Sequence, residues 1–212
     1  IVPLDQAEVI VASPGIPFHQ YPKTKTPIIR EVEWAYRWLH GQSPQSVFVA
    51  VTGTNGKTTT TAMLAHVTGW PTAGNIGQPL SYWIGRKTLP KGWIVELSSY
   101  QLFGVSTFHA HVAVLMNVTP DHLAWHKTLG HYKKSKQKVF ANQTSGDFAI
   151  GLKGDAGVAQ LMRKCKSKKL MFSVKDVLPI TDHPYLIGEH NQLNIRAVYR
   201  GALALGLKPA SV

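Results

Sequence analysis

Residues 47–58 decide the fold, and they read Val-Phe-Val-Ala-Val-Thr-Gly-Thr-Asn-Gly-Lys-Thr. The first five residues are apolar and mostly β-branched, which predicts a strand buried on both faces. Residues 62–67 then suit a helix. A glycine-rich turn between a buried strand and a helix turns backbone N–H groups inward and adds the positive end of the helix dipole, so the segment predicts a phosphate site.

Lys57 and Thr58 extend this pattern. The lysine would reach the outer phosphates of a nucleotide, and the threonine hydroxyl would hold Mg²⁺. The spacing departs from the common G-x-x-x-x-G-K-[ST] form, because Val51 stands where the first glycine would be. The alternative is a glycine-rich turn with an incidental lysine. The order of strand, turn, Gly-Lys-Thr and helix favours a nucleotide.

Strand and helix patterns alternate along the rest of the chain. Apolar, β-branched runs predict strands at 8–12, 47–51, 93–97, 111–118, 148–152 and 170–174. Helical spacing fits 28–40, where Gly41 is the expected stop, and also 132–140, 157–165 and 191–205. This alternation predicts an α/β domain with a mainly parallel sheet.

Composition sets the broad class. The chain has 212 residues with 44% hydrophobic residues, enough for one large domain or for one domain and a fragment. No apolar run approaches the roughly 18 residues that span a bilayer, and no signal peptide opens the chain. We expect no membrane association and, with the single cysteine Cys165, a reducing cytoplasmic setting. Because the first residue is Ile1, we expect the N-terminus to be cut.

Acidic residues are scarce, and their positions are informative. The formal charge is +12, yet only Glu96 and Asp121 are acidic between residues 34 and 146. Glu96 ends a predicted strand, where a carboxylate would reach nucleotide-bound Mg²⁺; otherwise it is exposed or neutralised by a lysine. Asp121 and His122 follow the next strand, which suggests a second metal or substrate site, or else a capped turn with a surface histidine.

Basic residues form two clusters, around Lys133, Lys134, Lys136 and Lys138, and at residues 163–169. Nucleic-acid binding needs a basic face with stacking aromatics or a known module. Neither cluster has interleaved aromatics, so solvated helix faces are the better interpretation and no nucleic-acid partner is expected. By itself, Asn191 suits a helix cap and Asn194 an exposed helix position.

Seven motifs, taken in order, resemble those of the Mur ligases, the ATP-dependent amide-forming enzymes of peptidoglycan precursor synthesis. They are Ser-Pro-Gly-Ile-Pro at 13–17, Thr-Gly-Thr-Asn-Gly-Lys-Thr at 52–58, Gly-Asn-Ile-Gly at 74–77, Glu-Leu-Ser-Ser-Tyr-Gln-Leu at 96–102, Asn-Val-Thr-Pro-Asp-His-Leu at 117–123, Tyr-x-x-x-Lys at 132–136 and His-Asn-x-x-Asn at 190–194. The third and fourth favour the D-glutamate-adding branch over its relatives, including the folylpolyglutamate synthetases.

The resemblance implies a domain plan. Residues 1–30 would be the end of a Rossmann-like, UDP-binding N-terminal domain with its linker, and residues 31–212 the P-loop-type central domain. The C-terminal domain of the family, which binds the amino acid, would lie beyond Val212. The resulting hypothesis is that this chain binds ATP but does not ligate alone.

The resemblance also implies roles for single residues. ATP would be bound by Gly53, Thr54, Asn55, Gly56, Lys57, Thr58, Thr59, Asn191 and Asn194. Two Mg²⁺ sites, which would also accept Mn²⁺, would use Thr58, Glu96, His122 and Lys136, the last as a carbamate formed with CO₂. Lys57, His122 and Lys136 would be catalytic. The substrate UDP-N-acetylmuramoyl-L-alanine would contact Ser13, Gly15, Asn75 and Ser98, D-glutamate would be the second substrate, and the protein would be a monomer.

Two departures from the family pattern leave an alternative open. Ala124 and Trp125 stand where the family usually has Asp and Arg, and Lys153-Gly-Asp-Ala replaces a familiar Asn-Ala-Asp-Asp. A degenerate or regulatory ATP-binding relative is therefore the second hypothesis, and another Mur ligase or a relative of the folylpolyglutamate synthetases is the further alternative.

Overall fold

The computed structural model describes residues 3–178 and 188–208. Its strands are β1 Ile10–Val11, β2 Ile28–Ile29, β3 Val47–Thr52, β4 Thr72–Gly74, β5 Gly92–Glu96, β6 Val112–Leu115, β7 Phe148–Leu152 and β8 Lys168–Phe172. Its α-helices are α1 Glu31–Gln42, α2 Lys57–Thr68, α3 Ser99–Phe103, α4 Leu123–His126, α5 Leu129–Gln137, α6 Ala156–Met162 and α7 Glu189–Ala204. Short 3-10 turns lie at Leu4–Gln6, Phe18–Gln20, Leu80–Trp83 and Lys138–Phe140.

Six strands form one parallel sheet in the order β4-β5-β3-β6-β7-β8. This confirms the predicted α/β class with a parallel sheet flanked by helices. Because the strands are parallel, the segments that follow β3, β5 and β6 all leave the sheet at its carboxyl edge. The segments carrying Lys57, Glu96 and Asp121 therefore start from neighbouring points.

The strands are buried on both faces, as their unbroken apolar runs predict. Along β3, Phe48 and Ala50 enter one apolar cluster, while Val49 and Val51 enter the other. The first cluster includes side chains from α1, α3 and α6, and the second includes side chains from α2 and α7. Helices thus cover both faces of the sheet.

Several element boundaries differ from the predictions. The predicted helix over 28–40 is wrong at both ends: Ile28 and Ile29 pair in parallel with Ile10 and Val11, and α1 runs from Glu31 through Gly41 to Gln42. Ile28 and Ile29 are β-branched and form the hydrogen-bonded ladder with β1, and this strand pairing prevails over the helical spacing of the apolar residues. The short edge strand β4 had no apolar run to signal it. The helix predicted over 132–140 begins earlier, at Leu129, and tightens into a 3-10 turn after Gln137.

Arg30 ties the N-terminal segment to the body of the molecule. Its side chain is fully buried, and its guanidinium donates hydrogen bonds to the carbonyl oxygens of Ala12, Ser13 and Ile16 at 3.2, 2.6 and 3.2 Å. These bonds fix the turn that carries the first motif. In the described part of the chain, no helix is both long enough and apolar enough to cross a bilayer.

Candidate functional site

The turn between β3 and α2 approaches its neighbours so closely that two of its residues must be glycine. Gly53 has φ 151° and Gly56 has φ 81°. A Cβ at Gly53 would lie 2.8 Å from the Cβ of Met116, and a Cβ at Gly56 would lie 2.5 Å from Oδ1 of Asn194. The turn is therefore packed against the end of β6 on one side and against α7 on the other.

Asn117 clamps this turn from the end of β6. Its Oδ1 accepts hydrogen bonds from the backbone N–H groups of Thr54 and Asn55 at 3.1 and 2.8 Å, and its Nδ2 donates to the carbonyl oxygen of Asn55 at 3.1 Å. Those two N–H groups thus face Asn117. The first helical hydrogen bond of α2 runs from Thr60 N to Gly56 O, so the N–H groups of residues 57–59 have no partner within the helix and are available to an anion.

Asn117 is absent from the predicted site residues. The sequence contained a signal for it, since it is the first polar side chain after a buried strand and opens the motif at 117–123.

Two lysines hold carbonyl oxygens of the same turn. Lys57 Nζ donates to Thr54 O at 2.8 Å, and Lys136 Nζ donates to Gly53 O at 2.7 Å. Lys136 is only 2% exposed, and burial together with the nearby Lys57 lowers its pKa to about 7, against the opposing effect of Asp121. Burial also lowers the pKa of Lys57, although Glu96 and Asp121 oppose that shift. The helix α5 thus delivers a partly neutral amine to the turn.

Glu96 is buried at the end of β5 and is 1% exposed. Its Oε1 accepts a hydrogen bond from Asn75 Nδ2 at 2.7 Å, whereas its buried Oε2 has no hydrogen-bond partner among the described residues. Exposure, one of the alternatives left open by the sequence, is excluded. Burying a carboxylate oxygen without a hydrogen-bond partner costs free energy, so this oxygen is suited to bind a cation that enters together with a ligand.

Asp121 and His122 lie at the same edge of the sheet. His122 precedes α4 with φ 54°, its Nε2 lies 3.3 Å from Asp121 Oδ2, and its ring lies 4.9 Å from that of Tyr100. Both side chains are partly exposed, so they are open to a ligand. Tyr132, from the helix that carries Lys136, shares a 2.9 Å hydrogen bond between its OH and Thr54 Oγ1.

No cluster of three or more His, Cys, Asp or Glu side chains within residues 3–178 and 188–208 is arranged to hold a metal. The predicted metal residues do not require such a cluster, because two of the four are Thr58 and Lys136. Mg²⁺ bound with a nucleotide also takes phosphate oxygens and water, so few protein ligands suffice.

The remaining predicted residues are distributed around this edge and the N-terminal segment. Ser98 caps α3, where its Oγ accepts from Gln101 N at 3.3 Å and donates to Gln101 Oε1 at 2.8 Å. Ser13 Oγ accepts from Gly15 N at 3.4 Å in the turn fixed by Arg30. Both serine side chains are therefore engaged in local structure.

Asn191 and Asn194 of α7 do not have the positions expected from the sequence, which were a helix cap and an exposed helix position. Gly188, not Asn191, precedes the helix, so Asn191 lies within the first turn rather than at the cap. Asn194 is 4% exposed rather than exposed, and its Nδ2 donates to Asn191 Oδ1 at 3.4 Å. Its approach to Gly56 brings α7 to the turn of residues 53–56 between β3 and α2, the phosphate turn.

Of the residues that depart from the family pattern, Trp125 contributes to packing, whereas Ala124 and Lys153 are exposed. Trp125 is 7% exposed and packs on the rings of Phe18, Tyr100 and Phe103 at 5.8, 5.0 and 5.5 Å between centroids. Asp155, which the altered segment shares with the family pattern, caps α6 and accepts a second hydrogen bond from Val118 N at 3.2 Å.

Comparison with protein families gives a match to the Mur ligase middle domain over residues 51–178. Among curated proteins, the chain is 36% identical over 203 residues to UDP-N-acetylmuramoylalanine–D-glutamate ligase of Natranaerobius thermophilus, covering 90% of the chain and 44% of that protein. It is 34% identical over 238 residues to the ligase of the same name from Rickettsia bellii, covering 96% of the chain and 51% of the relative. The chain thus spans about half the length of these relatives.

Solved structures share the fold at lower identity. MurF from Acinetobacter baumannii superposes with a TM-score of 0.65 at 24% identity, covering 84% of this chain and 47% of that one. A UDP-N-acetylmuramate:L-alanyl-γ-D-glutamyl-meso-diaminopimelate ligase from Neisseria gives 0.66 at 19% identity, covering 87% of this chain and 68% of that one. At this identity the likeness concerns the fold alone.

Proposed function

The chain belongs to the Mur ligase family, and from this premise we propose that it forms the ATP-binding part of a ligase that joins D-glutamate to UDP-N-acetylmuramoyl-L-alanine. Residues 31–212 would be the central domain, and residues 1–30 the end of the UDP-binding domain and its linker. The curated relatives named D-glutamate ligases support the choice of substrates. The observation that carries the proposal is the buried Oε2 of Glu96, which no residue of the described ranges bonds, near Lys57 at the glycine-rich turn.

ATP would bind with its phosphates at the start of α2. The N–H groups at residues 57–59 and the helix dipole attract the phosphates, and Lys57 exchanges its bond to Thr54 O for a phosphate oxygen. Gly53, Thr54, Asn55 and Gly56 would shape the turn. Asn194, which touches that turn, and Asn191 would lie toward the adenine.

One Mg²⁺ would be held by Thr58 and Glu96, because the buried Oε2 of Glu96 has no partner among the described residues and Thr58 lies in the first turn of α2. When bound, the metal would neutralise phosphate charge. In the chain itself, Asn75 holds the other carboxylate oxygen of Glu96 and so fixes its orientation.

A second Mg²⁺ would use His122 and a carbamate on Lys136. Carbamate formation joins a neutral amine to CO₂ with loss of a proton. A lysine with a pKa of about 7 is partly neutral near neutral pH, whereas an ordinary lysine is almost fully charged. The burial of Lys136 therefore supports this modification, which replaces a buried positive charge by a negative one.

The proposed reaction has two steps. The L-alanine carboxylate of the UDP-sugar attacks the γ-phosphate, which gives an acyl phosphate and ADP; the amine of D-glutamate then displaces phosphate and forms the amide. Ser13 and Gly15 would contact the UDP pyrophosphate, and Asn75 and Ser98 the muramoyl-alanine part. Lys57 would neutralise charge as two anions approach, so catalysis is electrostatic and positional. We place the protein in the cytoplasm, where it would act as a monomer.

A degenerate ATP-binding relative is the second candidate, favoured by the departures at Ala124, Trp125 and Lys153. The two candidates differ in their response to substrate. Calorimetric titration of the chain with ATP and Mg²⁺, with and without UDP-N-acetylmuramoyl-L-alanine, separates them, and UDP-N-acetylglucosamine serves as the control sugar.

We expect Mg²⁺-dependent ATP binding that the muramoyl substrate changes and the control sugar does not. Binding of ATP without any effect of the muramoyl substrate would favour the degenerate relative, and failure to bind ATP would contradict the proposal. Measuring the amide product formed with D-glutamate tests the hypothesis that the chain does not ligate alone, and multiple turnovers of D-glutamate addition would overturn it.

A further inference from the structure

The positive charge of the chain is concentrated in one stretch. Residues 127–169 contain eleven Lys and Arg against two acids, a formal +9 out of the +12 of the whole chain. Both acids are already engaged: Asp147 bonds to His109 and to Thr144 N, and Asp155 caps α6. The proposed nucleotide site at the carboxyl edge of the sheet uses only Lys136 from this stretch.

A cavity of about 530 Å³ opens within this stretch, between the end of α5 and the end of α6. Its floor includes Phe140, Leu161 and Gln143. The Nε2 of Gln143 donates to the carbonyl oxygens of Ala110 and Phe148, which lie at the starts of β6 and β7. The cavity therefore lies at the amino edge of the sheet, opposite the phosphate turn.

Four lysines line this cavity, and no acid is among its lining residues: Lys134, Lys138, Lys164 and Lys166. Some lysines of this stretch donate hydrogen bonds to backbone carbonyl oxygens and so stabilise the fold. Lys138 Nζ donates to Phe103 O and Val105 O, and Lys169 Nζ, outside the cavity, donates to Arg163 O.

The amines of Lys134, Lys164 and Lys166 make no hydrogen bond or ion pair to any described residue. Three exposed lysines without a bond to any described residue thus line a cavity whose lining also includes the apolar Phe140 and Leu161.

We propose that this cavity is a second anion site, which binds a small phosphate ester with an apolar ring. The volume lies in the range of small-molecule sites. Lysine ammonium groups bind phosphate as point charges, and the rings and methyl groups of Phe140 and Leu161 would contact the apolar part. The site is independent of the proposed ligase function, because it shares no lining residue with the phosphate turn.

Cys165 lines the cavity and is the only cysteine of the chain, so its thiol reports occupancy. The experiment measures the rate at which uncharged 4,4′-dithiodipyridine modifies this thiol, with 1-naphthyl phosphate as the probe. At saturation we expect the probe to slow the reaction by more than about fivefold, since protection follows the occupied fraction. Inorganic phosphate has only the anionic group of the probe and 1-naphthol only its ring, so each should protect the Cys165 thiol less than the probe does.

Two double variants with the same change of charge separate the cavity from the general field of the basic stretch. Lys164→Glu with Lys166→Glu alters the cavity rim, and Lys168→Glu with Lys169→Glu alters neighbouring lysines outside it. Each variant is compared with its own unprotected rate, and circular dichroism verifies folding. Should the first pair fail to fold, Lys164→Gln with Lys166→Gln replaces it.

Loss of protection in the rim variant alone supports the site. Equal protection in both variants, no protection of the unmodified chain, or release of the probe by ATP with Mg²⁺ would overturn it. The last outcome would place the probe at the phosphate turn instead.

Discussion

Replacing Lys136 by methionine should make the protein more stable near neutral pH. The lysine is 2% exposed and its pKa is about 7, against 10.5 for a free side chain. Because the folded state holds the proton more weakly than the unfolded state, folding near pH 7 costs free energy that methionine does not incur. A residue that we propose for the catalytic machinery would thus lower the stability of the fold, a cost that functional sites commonly carry.

The magnitude follows from the shift. With pKa values of about 7 folded and 10.5 unfolded, the cost is about 4 kcal/mol at pH 7 and about 1 kcal/mol near pH 9.5. Methionine also leaves Gly53 O without its 2.7 Å bond, which costs about 1–2 kcal/mol at any pH. The net gain should therefore be about 2–3 kcal/mol near pH 7 and should vanish near pH 9.5.

Urea unfolding followed by tryptophan fluorescence measures both proteins, in CO₂-free buffer so that no carbamate forms. The informative quantity is the difference between the two unfolding free energies as a function of pH. That difference should shrink by about 3 kcal/mol between pH 7 and 9.5. A pH-independent difference, or a variant that is less stable than the parent near pH 7, would refute the burial argument.

Three further predictions concern the stability of the fold and the shape of the turn. Glu33 is fully buried, and although burial raises its pKa, hydrogen bonds from residues 106–108 outweigh that effect and lower the pKa to about 2. The ionised carboxylate therefore stabilises the fold fully above about pH 4.5, and this stabilisation is lost as the pH falls toward 2. Over that range the unfolding free energy of the parent should fall by about 3 kcal/mol more than that of Glu33→Gln. Gly56→Ala should weaken ATP binding at least about tenfold by calorimetry, since its Cβ would meet Asn194 at a φ of 81°; unchanged affinity would show that the turn relaxes. Asn117→Ala should also weaken ATP binding, while Asn117→Asp, which keeps the acceptor, should lose less; equal losses would contradict the clamp.

The sheet and its carboxyl edge could be predicted from sequence because they depend on local patterns. The apolar run before Gly53 is long enough to indicate a buried strand, and the order Gly-Lys-Thr marks the start of a helix. The strand β4 and the pairing of Ile28 with Ile10 could not be predicted. They are short segments whose conformation is set by neighbours distant in the chain.

The candidate site shows the same division. Lys57 and Glu96 have residue types and positions that indicate their chemistry. The clamp by Asn117, the burial of Asn194 and the low pKa of Lys136 arise from packing between separate elements. Trp125 is a departure from the family pattern whose packing against Phe18 only the structure reveals.

The affinity of the chain for Mn²⁺ with ATP tests the central claim most directly. Mn²⁺ replaces Mg²⁺ and its free concentration is read by electron paramagnetic resonance. We predict tight binding of the metal–nucleotide complex, weakened at least about tenfold by Glu96→Gln and by Lys57→Ala, since each removes a charge-assisted contact, and unchanged by Lys87→Ala at an exposed lysine outside the site. Equal affinity in all four proteins would contradict the claim that this edge of the sheet binds the nucleotide and its metal.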